Sequence, residues 1–256
     1  MLQPRHSRLG WSSHQQSIFT LTKTITSPLP VDRNELAKLD LTPSEARSLQ
    51  ERIAPMVVRS DRLGRVRTVA AADIALIENT GFAAVVVYSF PKLEELERAS
   101  YCGDLTFPYI PGLLSFREIP LLLHAFEKLS RRPDLILADA HGYAHPRRAG
   151  LACHLGLVLD TPTIGCAKSV LIGDYEMPAF ARGSTSPLRH RGEVIGTALR
   201  TRDGVRPIFV SCGHRVSLPT GVRLTLACCD GYRIPKPLRE TDHWTKEMRR
   251  KFQARR

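Results

Sequence analysis

Three acids in this sequence stand where a carboxylate is costly. Asp73 interrupts the apolar run VRTVAAADIALI, and Asp139 ends the run DLILADA. Glu118 lies one turn into the segment SFREIPLLLHAFEKLS. A charge inside an apolar strand needs a partner. A hydrogen-bonded turn or a salt bridge to one of the many arginines would serve for either aspartate alone. The joint appearance of the acids at such positions in one basic chain favours a divalent metal site. Carboxylate-bound Mg²⁺ or Mn²⁺ suits attack on a phosphodiester, where it can activate water, orient the diester and hold the leaving oxygen. Magnesium keeps several waters, so two or three carboxylates suffice as protein ligands.

Polar groups follow the same strand ends. In DAHGYAHPRRAG, His141 and His145 come just after Asp139, and His145 precedes Pro146, Arg147 and Arg148. A histidine there can contact phosphate or shuttle a proton, or simply sit on a surface loop. Lys168, in GCAKS, can hold a phosphate or a water as a point charge. The loop PYIPGLLSFREIP brackets Tyr109 and Ile110 between Pro108 and Pro111, and Gly112 permits a sharp turn. Side chains stiffened in this way can wedge between bases, or merely cover the core.

The elements that would position these residues read as one α/β domain. Thr42, Pro43 and Glu45 predict a capped helix with Ala46, Leu49 and Ile53 on one face. VRTVAAADIALI and AAVVVYSF read as a strand hairpin. LEELERASYC is either a third strand or a helical turn. A helix capped by Ser115 comes next, then the strand DLILADA, the helix RRAGLACHLGLVLD and the strand TPTIGCAKS. Gly192 to Arg200 and Pro207 to Cys212 read as short strands, and KPLRETDHWTKEMRRKF as a closing helix. A hairpin followed by α/β crossovers implies a mixed β-sheet flanked by helices. Residues 1–30 read as a disordered extension, 31–252 as the single domain, and 253–256 as a basic tail.

The 256-residue chain carries a formal charge of +12, which favours a polyanionic partner, nucleic acid above all. Lys246, Arg249, Arg250, Lys251, Arg255 and Arg256 form a basic C-terminal stretch, either a solvated helix end or an aid to phosphate binding. Six scattered cysteines without a CxxC suit a reducing, cytoplasmic setting. No apolar run approaches a membrane span, so no membrane association is expected. A monomer is the default, because no extra apolar helix surface demands a partner.

Taken together, PYIPGLLSFREIP, DLILADAHGYAHPRRAGLACHLG and TPTIGCAKS resemble the endonuclease V family over roughly Thr42 to His243. The resemblance implies a ribonuclease H-like fold and dependence on Mg²⁺, with Mn²⁺ able to substitute. It implies DNA carrying deoxyinosine as substrate, cut at the second phosphodiester on the 3′ side to leave a 3′-hydroxyl and a 5′-phosphate. By motif, Asp73, Glu118 and Asp139 match the metal-binding acids, Tyr109 the strand-separating wedge, and His145 and Lys168 the catalytic positions near the scissile phosphate. His154 matches a further histidine placed with the substrate contacts, and Asp242 or His243 the last polar group beside the metals, with His243 taken as the ligand. The sequence departs from the family at Ala140, where the usual residue is glycine, and in the Ala-Ala-Asp-Ile-Ala context of Asp73.

Hypoxanthine carries a carbonyl where adenine has an amino group, so a pocket reads it by donating to that oxygen and to N7. Gly112, Leu113 and the Gly142 to His145 loop are the candidates for that pocket, and Ile110 and Pro111 count with Tyr109 among the substrate contacts. Competing readings are an inosine-specific ribonuclease acting on RNA, a silent nucleic-acid-binding module, and another ribonuclease H-like enzyme.

Overall fold

The structure, a computed structural model, describes residue 36 and residues 41–255. The expected N-terminal extension, 1–30, lies outside the described residues. Helix α1, Pro43–Ile53, begins as the sequence predicts: Thr42 Oγ1 accepts from Glu45 N–H, and the Glu45 carboxylate accepts from Thr42 N–H. A short 3₁₀ turn, Ala54–Met56, ends it.

An eight-stranded mixed sheet follows. Its strands are β1 (Thr68–Ile77), β2 (Thr80–Ser89), β3 (Glu95–Asp104), β4 (Leu135–Ala138), β5 (Thr163–Ala167), β6 (Thr185–His190), β7 (Glu193–Leu199) and β8 (Ile208–His214), in the order β3-β2-β1-β4-β5-β8-β7-β6. The first three pair antiparallel, β1, β4 and β5 run parallel, and the rest return antiparallel. The segment left open between strand and helical turn is thus the edge strand β3. Two elements escaped the sequence reading, β6 and a helix at Leu218–Ala227.

Helices α2 (Leu114–Phe126) and α3 (Leu151–Leu159) join α1 on one face, against Ala70, Ala72, Ile136 and Ala138. Helices α4 (Leu218–Ala227) and α5 (Lys236–Gln253) cover the other, against Val69, Ala71, Leu135 and Leu137. The alternation follows from the period of two along a strand, and its consequence is functional. Asp73 has the parity of Val69 and Ala71, so its side chain points toward α5. Asp139 has the parity of Leu135 and Leu137, and Lys168 that of Ile164 and Cys166.

Ser115 does not cap α2. The helix starts two residues earlier than such a cap would set it, out of the turn Ile110–Leu113, with Leu113 at the cap position and Ser115 buried inside the first turn. Among the described residues, no helix is long and apolar enough to cross a membrane. All six cysteines are free thiols.

Candidate metal centre

Register assembles the acids. Ala72 of β1 stands opposite Ala138 of β4, so Asp73 and Asp139 leave neighbouring parallel strands side by side on one face. Ala138 in turn stands opposite Gly165 of β5, and Lys168 follows at the end of that strand. Helix α5 packs its buried residues Leu238, Thr241 and Thr245 on this face and brings Asp242 to it. One ligand oxygen each from Asp73, Asp139 and Asp242 lies within 4.8 Å of the others.

His243, the residue taken from the sequence as the last ligand, is exposed. Successive helix positions differ by about 100°, so α5 can present Asp242 or His243 to the sheet but not both. Thr245, three residues beyond Asp242, donates its hydroxyl to Asp73 Oδ2 at 2.7 Å, so α5 turns Asp242 rather than His243 toward the acids.

The electrostatics are those of a site built for a cation. Burial pushes the Glu118 carboxyl up to about 8, with further repulsion from Asp73 and Asp139. Burial likewise raises Asp73 to about 6, opposed by the Thr245 hydroxyl and reinforced by Asp139 and Asp242. Burial also raises Asp139, against the pull of Lys168. Lys168 Nζ pairs with Asp139 Oδ2 and lies 3.4 Å from Asp242 Oδ1, while Lys246 Nζ sits 2.6 Å from Asp242 Oδ2. Burial works against the Lys168 charge, yet the surrounding aspartates hold that ammonium above its ordinary range. Two lysines do not neutralise four clustered acids. Hard oxygen donors at this spacing fit a divalent cation, which Asp73, Asp139 and Asp242 could hold with Glu118 beside them.

Next to the acids lies a pocket of about 130 Å³ lined by residues of the proline loop, the start of α2 and the loop after β4. Ile110, Pro111, Gly112 and Leu113 form a turn closed by Leu113 N–H donating to Ile110 O at 2.9 Å, with φ of +80° at Gly112. That φ at the third position, after proline, is the type II requirement that glycine meets without strain. Tyr109 projects from the turn with 68% of its surface exposed.

One carbonyl anchors the turn. Gly112 O accepts from Gln50 Nε2 at 3.0 Å, His145 Nε2 at 2.9 Å and Arg147 Nη2 at 2.9 Å. Gln50 also donates to Ala149 O at 3.0 Å and accepts from Arg147 Nε at 2.6 Å, tying α1 to both pocket loops. The sequence reading missed Gln50, although with Ala46, Leu49 and Ile53 it completes an i, i+3, i+4, i+7 set.

His145 is part of this clamp and of the pocket lining. The ring is 3% exposed, Nδ1 accepts from Arg147 N–H at 3.2 Å, and burial followed by the Arg147 charge lowers its pKa to about 4. At neutral pH the ring is neutral, and both nitrogens are engaged with backbone atoms of the two pocket loops, so it ties the turn to the loop after β4. His154 lies deeper. It is 2% exposed, bonds Leu36 O at 2.8 Å and meets Phe116 edge-on, so it packs within the core.

The N–H groups of Gly142 and Leu113 both have acceptors within the protein. Gly142 N–H donates to Ser211 Oγ at 2.9 Å, and Leu113 N–H is spent in the turn. Gly142 is glycine for close approach: a Cβ there would lie 2.1 Å from Cys212 O. Ala140 keeps a negative φ, so the departure from glycine at that position leaves Asp139 in place.

The family model described as Endonuclease V matches residues 51–243. Endonuclease V of Roseiflexus castenholzii is 50% identical over 198 residues, 77% of this chain and 89% of that protein. The crystal structure of endonuclease V from Streptomyces avermitilis superposes with a TM-score of 0.81 at 39% identity, covering 85% of this chain and 97% of that one. Endonuclease V of Ciona intestinalis, crystallised with a 24mer DNA containing an inosine followed by a ribo-adenosine, superposes with a TM-score of 0.72 at 28% identity, covering 82% and 98%. The mixed sheet with helices on both faces is accordingly a ribonuclease H-like fold. With its acids gathered at the ends of the parallel strands, the chain belongs to the endonuclease V family.

Proposed function

We propose that this protein is a metal-dependent endonuclease that cuts DNA at deoxyinosine, at the second phosphodiester 3′ to the lesion, leaving a 3′-hydroxyl and a 5′-phosphate. The observation that carries the reading is the set of three aspartate oxygens within 4.8 Å of one another, beside a pocket of about 130 Å³. The inosine-containing DNA held by the Ciona intestinalis relative supports the choice of substrate.

Asp73, Asp139 and Asp242 hold Mg²⁺, or Mn²⁺ in its place, and Glu118 completes the acidic shell. The ion supplies activation of water and charge neutralisation at the diester. Lys168, paired with Asp139 and half-exposed, is placed to meet a phosphate oxygen as a point charge. Tyr109 is the wedge, held outward by the Gly112 clamp. The base enters the pocket beside the N-terminus of α2. The first N–H groups of a helix have no partner within it, and Leu114 and Ser115 line this pocket. Such donors favour the hypoxanthine carbonyl over the adenine amino group.

The test is cleavage of end-labelled duplexes with and without one deoxyinosine, in Mg²⁺ and in EDTA, with Asp139→Ala as control and an inosine-containing RNA in parallel. A metal-dependent nick one nucleotide beyond the lesion, lost in the variant, is the expected result. Cutting of the RNA alone would move the substrate to RNA. Binding of both without cutting would refute catalysis.

A further inference from the structure

On the open side of the acid centre, beyond Lys168, the molecule presents a corner of exposed aromatic and basic residues that neither the metal site nor the base pocket uses. Phe180 is 73% exposed, an unusual state for a phenylalanine, and Met177 beside it is 61% exposed. The segment that carries them is held rigidly. Arg200, itself 6% exposed, donates Nε to Ala179 O at 2.7 Å, Nη2 to Pro178 O, and Nη1 to Val205 O. A guanidinium buried on three backbone carbonyls fixes both loops it touches.

Phe180 lies across the turn at Arg202–Gly204. Gly204 N–H donates to Phe180 O at 3.1 Å, and a Cβ on Gly204 would come 2.8 Å from the ring. That turn leads directly to the catalytic face. Arg206 and Arg202 are exposed. Arg233 donates Nε to Arg206 O at 2.9 Å and Nη2 to Lys168 O at 2.7 Å. Both Arg206 and Asp139 lie close enough to Arg233 to act on its charge. The corner is therefore continuous with the strand end that holds Asp139 and Lys168.

We propose that Phe180, Arg202, Arg206 and Arg233 form a docking track for an unpaired stretch of nucleic-acid strand running away from the acid centre. Phe180 stacks on one base and the arginines take the phosphates. The direction of the track rests on the nuclease reading; its chemistry does not. Asp203 in the same turn accepts from Arg182 N–H, which leaves Arg202 and Arg206 as the exposed cations beside the ring. An exposed ring flanked by cations suits a polyanion with π-faces, whereas the centre of a protein-docking patch is depleted of charge. A duplex hides those faces, so the occupant is single-stranded. Fixing the loop through Arg200 lowers the ordering cost of stacking.

The experiment is fluorescence anisotropy of a short labelled oligothymidylate, free of inosine, with the full chain in EDTA. Phe180→Ala is expected to weaken binding about tenfold, and Phe180→Trp to retain it. Arg206→Ala is expected to flatten the dependence of log affinity on log salt by about 0.7. Unchanged binding in Phe180→Ala overturns the track, as does equal loss in Phe180→Ala and Phe180→Trp. A change in self-association by sedimentation, with oligothymidylate affinity intact, also overturns it and makes the corner a protein contact. The two readings fail separately. Wild-type protein that leaves inosine DNA uncut, while Phe180→Ala still loses oligothymidylate binding, refutes the substrate and supports the track.

Discussion

Replacing Glu118 with glutamine should stabilise the metal-free protein, and by more as pH rises. Glu118 is buried beside Asp73 and Asp139, and its carboxyl is raised to about 8 from an ordinary 4.5. Between those values the folded protein holds a proton that the unfolded chain has released. Stability therefore falls as pH rises: the contribution of the neutral acid is complete below 4.5 and is lost by the time pH passes 8. One proton corresponds to about 1.4 kcal/mol per pH unit, or about 2 to 3 kcal/mol between pH 5 and 7. Glutamine keeps the shape and carries no proton to lose. The four acids titrate as a set, so the difference counts a proton of the cluster more than of one residue. Three buried histidines, His145, His154 and His214, and the partly buried His141 are lowered to about 4, chiefly by burial, and pull stability the opposite way, upward with pH. They are common to both proteins and cancel in the comparison. Urea denaturation in EDTA, at intervals from pH 5 to 9, gives the difference directly. Repeated in Mg²⁺ the order should invert, because the wild type then gains the free energy of binding. A difference in EDTA that stays flat across this range would refute the electrostatic reading of the site.

Other perturbations separate the parts. Gln50→Leu strands Ala149 O and Arg147 Nε in a buried setting, at a cost of about 2 to 4 kcal/mol, and a loss under about 0.5 kcal/mol in urea denaturation would show that the clamp carries nothing. Gly142→Ala drives a Cβ into Cys212 O and should cost at least about 2 kcal/mol, so wild-type stability there would mean the loop after β4 packs differently. Asp242→Asn should weaken Mn²⁺ binding more than about tenfold by calorimetry, while His243→Ala leaves it unchanged. The reverse result would put the other face of α5 against the acids.

Legibility in the sequence varied with the kind of evidence each residue supplies. Asp73 and Asp139 were visible because each breaks an apolar run, and a strand of known period tells which way the odd residue points. That they meet depends on parallel pairing of β1 with β4, which only the crossover topology fixes. β6 was hidden by Pro187 and by arginine and histidine on an edge strand, which leave little apolar alternation. α4 was hidden by Gly221 and two threonines, although Ser217 followed by Leu-Pro is a legible start, with Ser217 Oγ accepting from Thr220 N–H.

The histidines and α5 show where residue type alone runs out. A histidine after a strand end announces chemistry, but burial decides whether it acts. His145 spends both nitrogens on backbone atoms, and His154 spends Nε2 on Leu36 O and packs its ring against Phe116. On α5 the face that meets the sheet includes Thr241 and Thr245, polar residues that a hydrophobic pattern does not count as buried. Both hydroxyls are satisfied, Thr241 by Pro237 O and Thr245 by Asp73, so burying them carries little penalty. Their burial turns Asp242 inward and His243 outward. A choice between adjacent residues for the last metal ligand thus rests on two threonine hydrogen bonds, one of them made to a metal-site acid across 172 residues of chain.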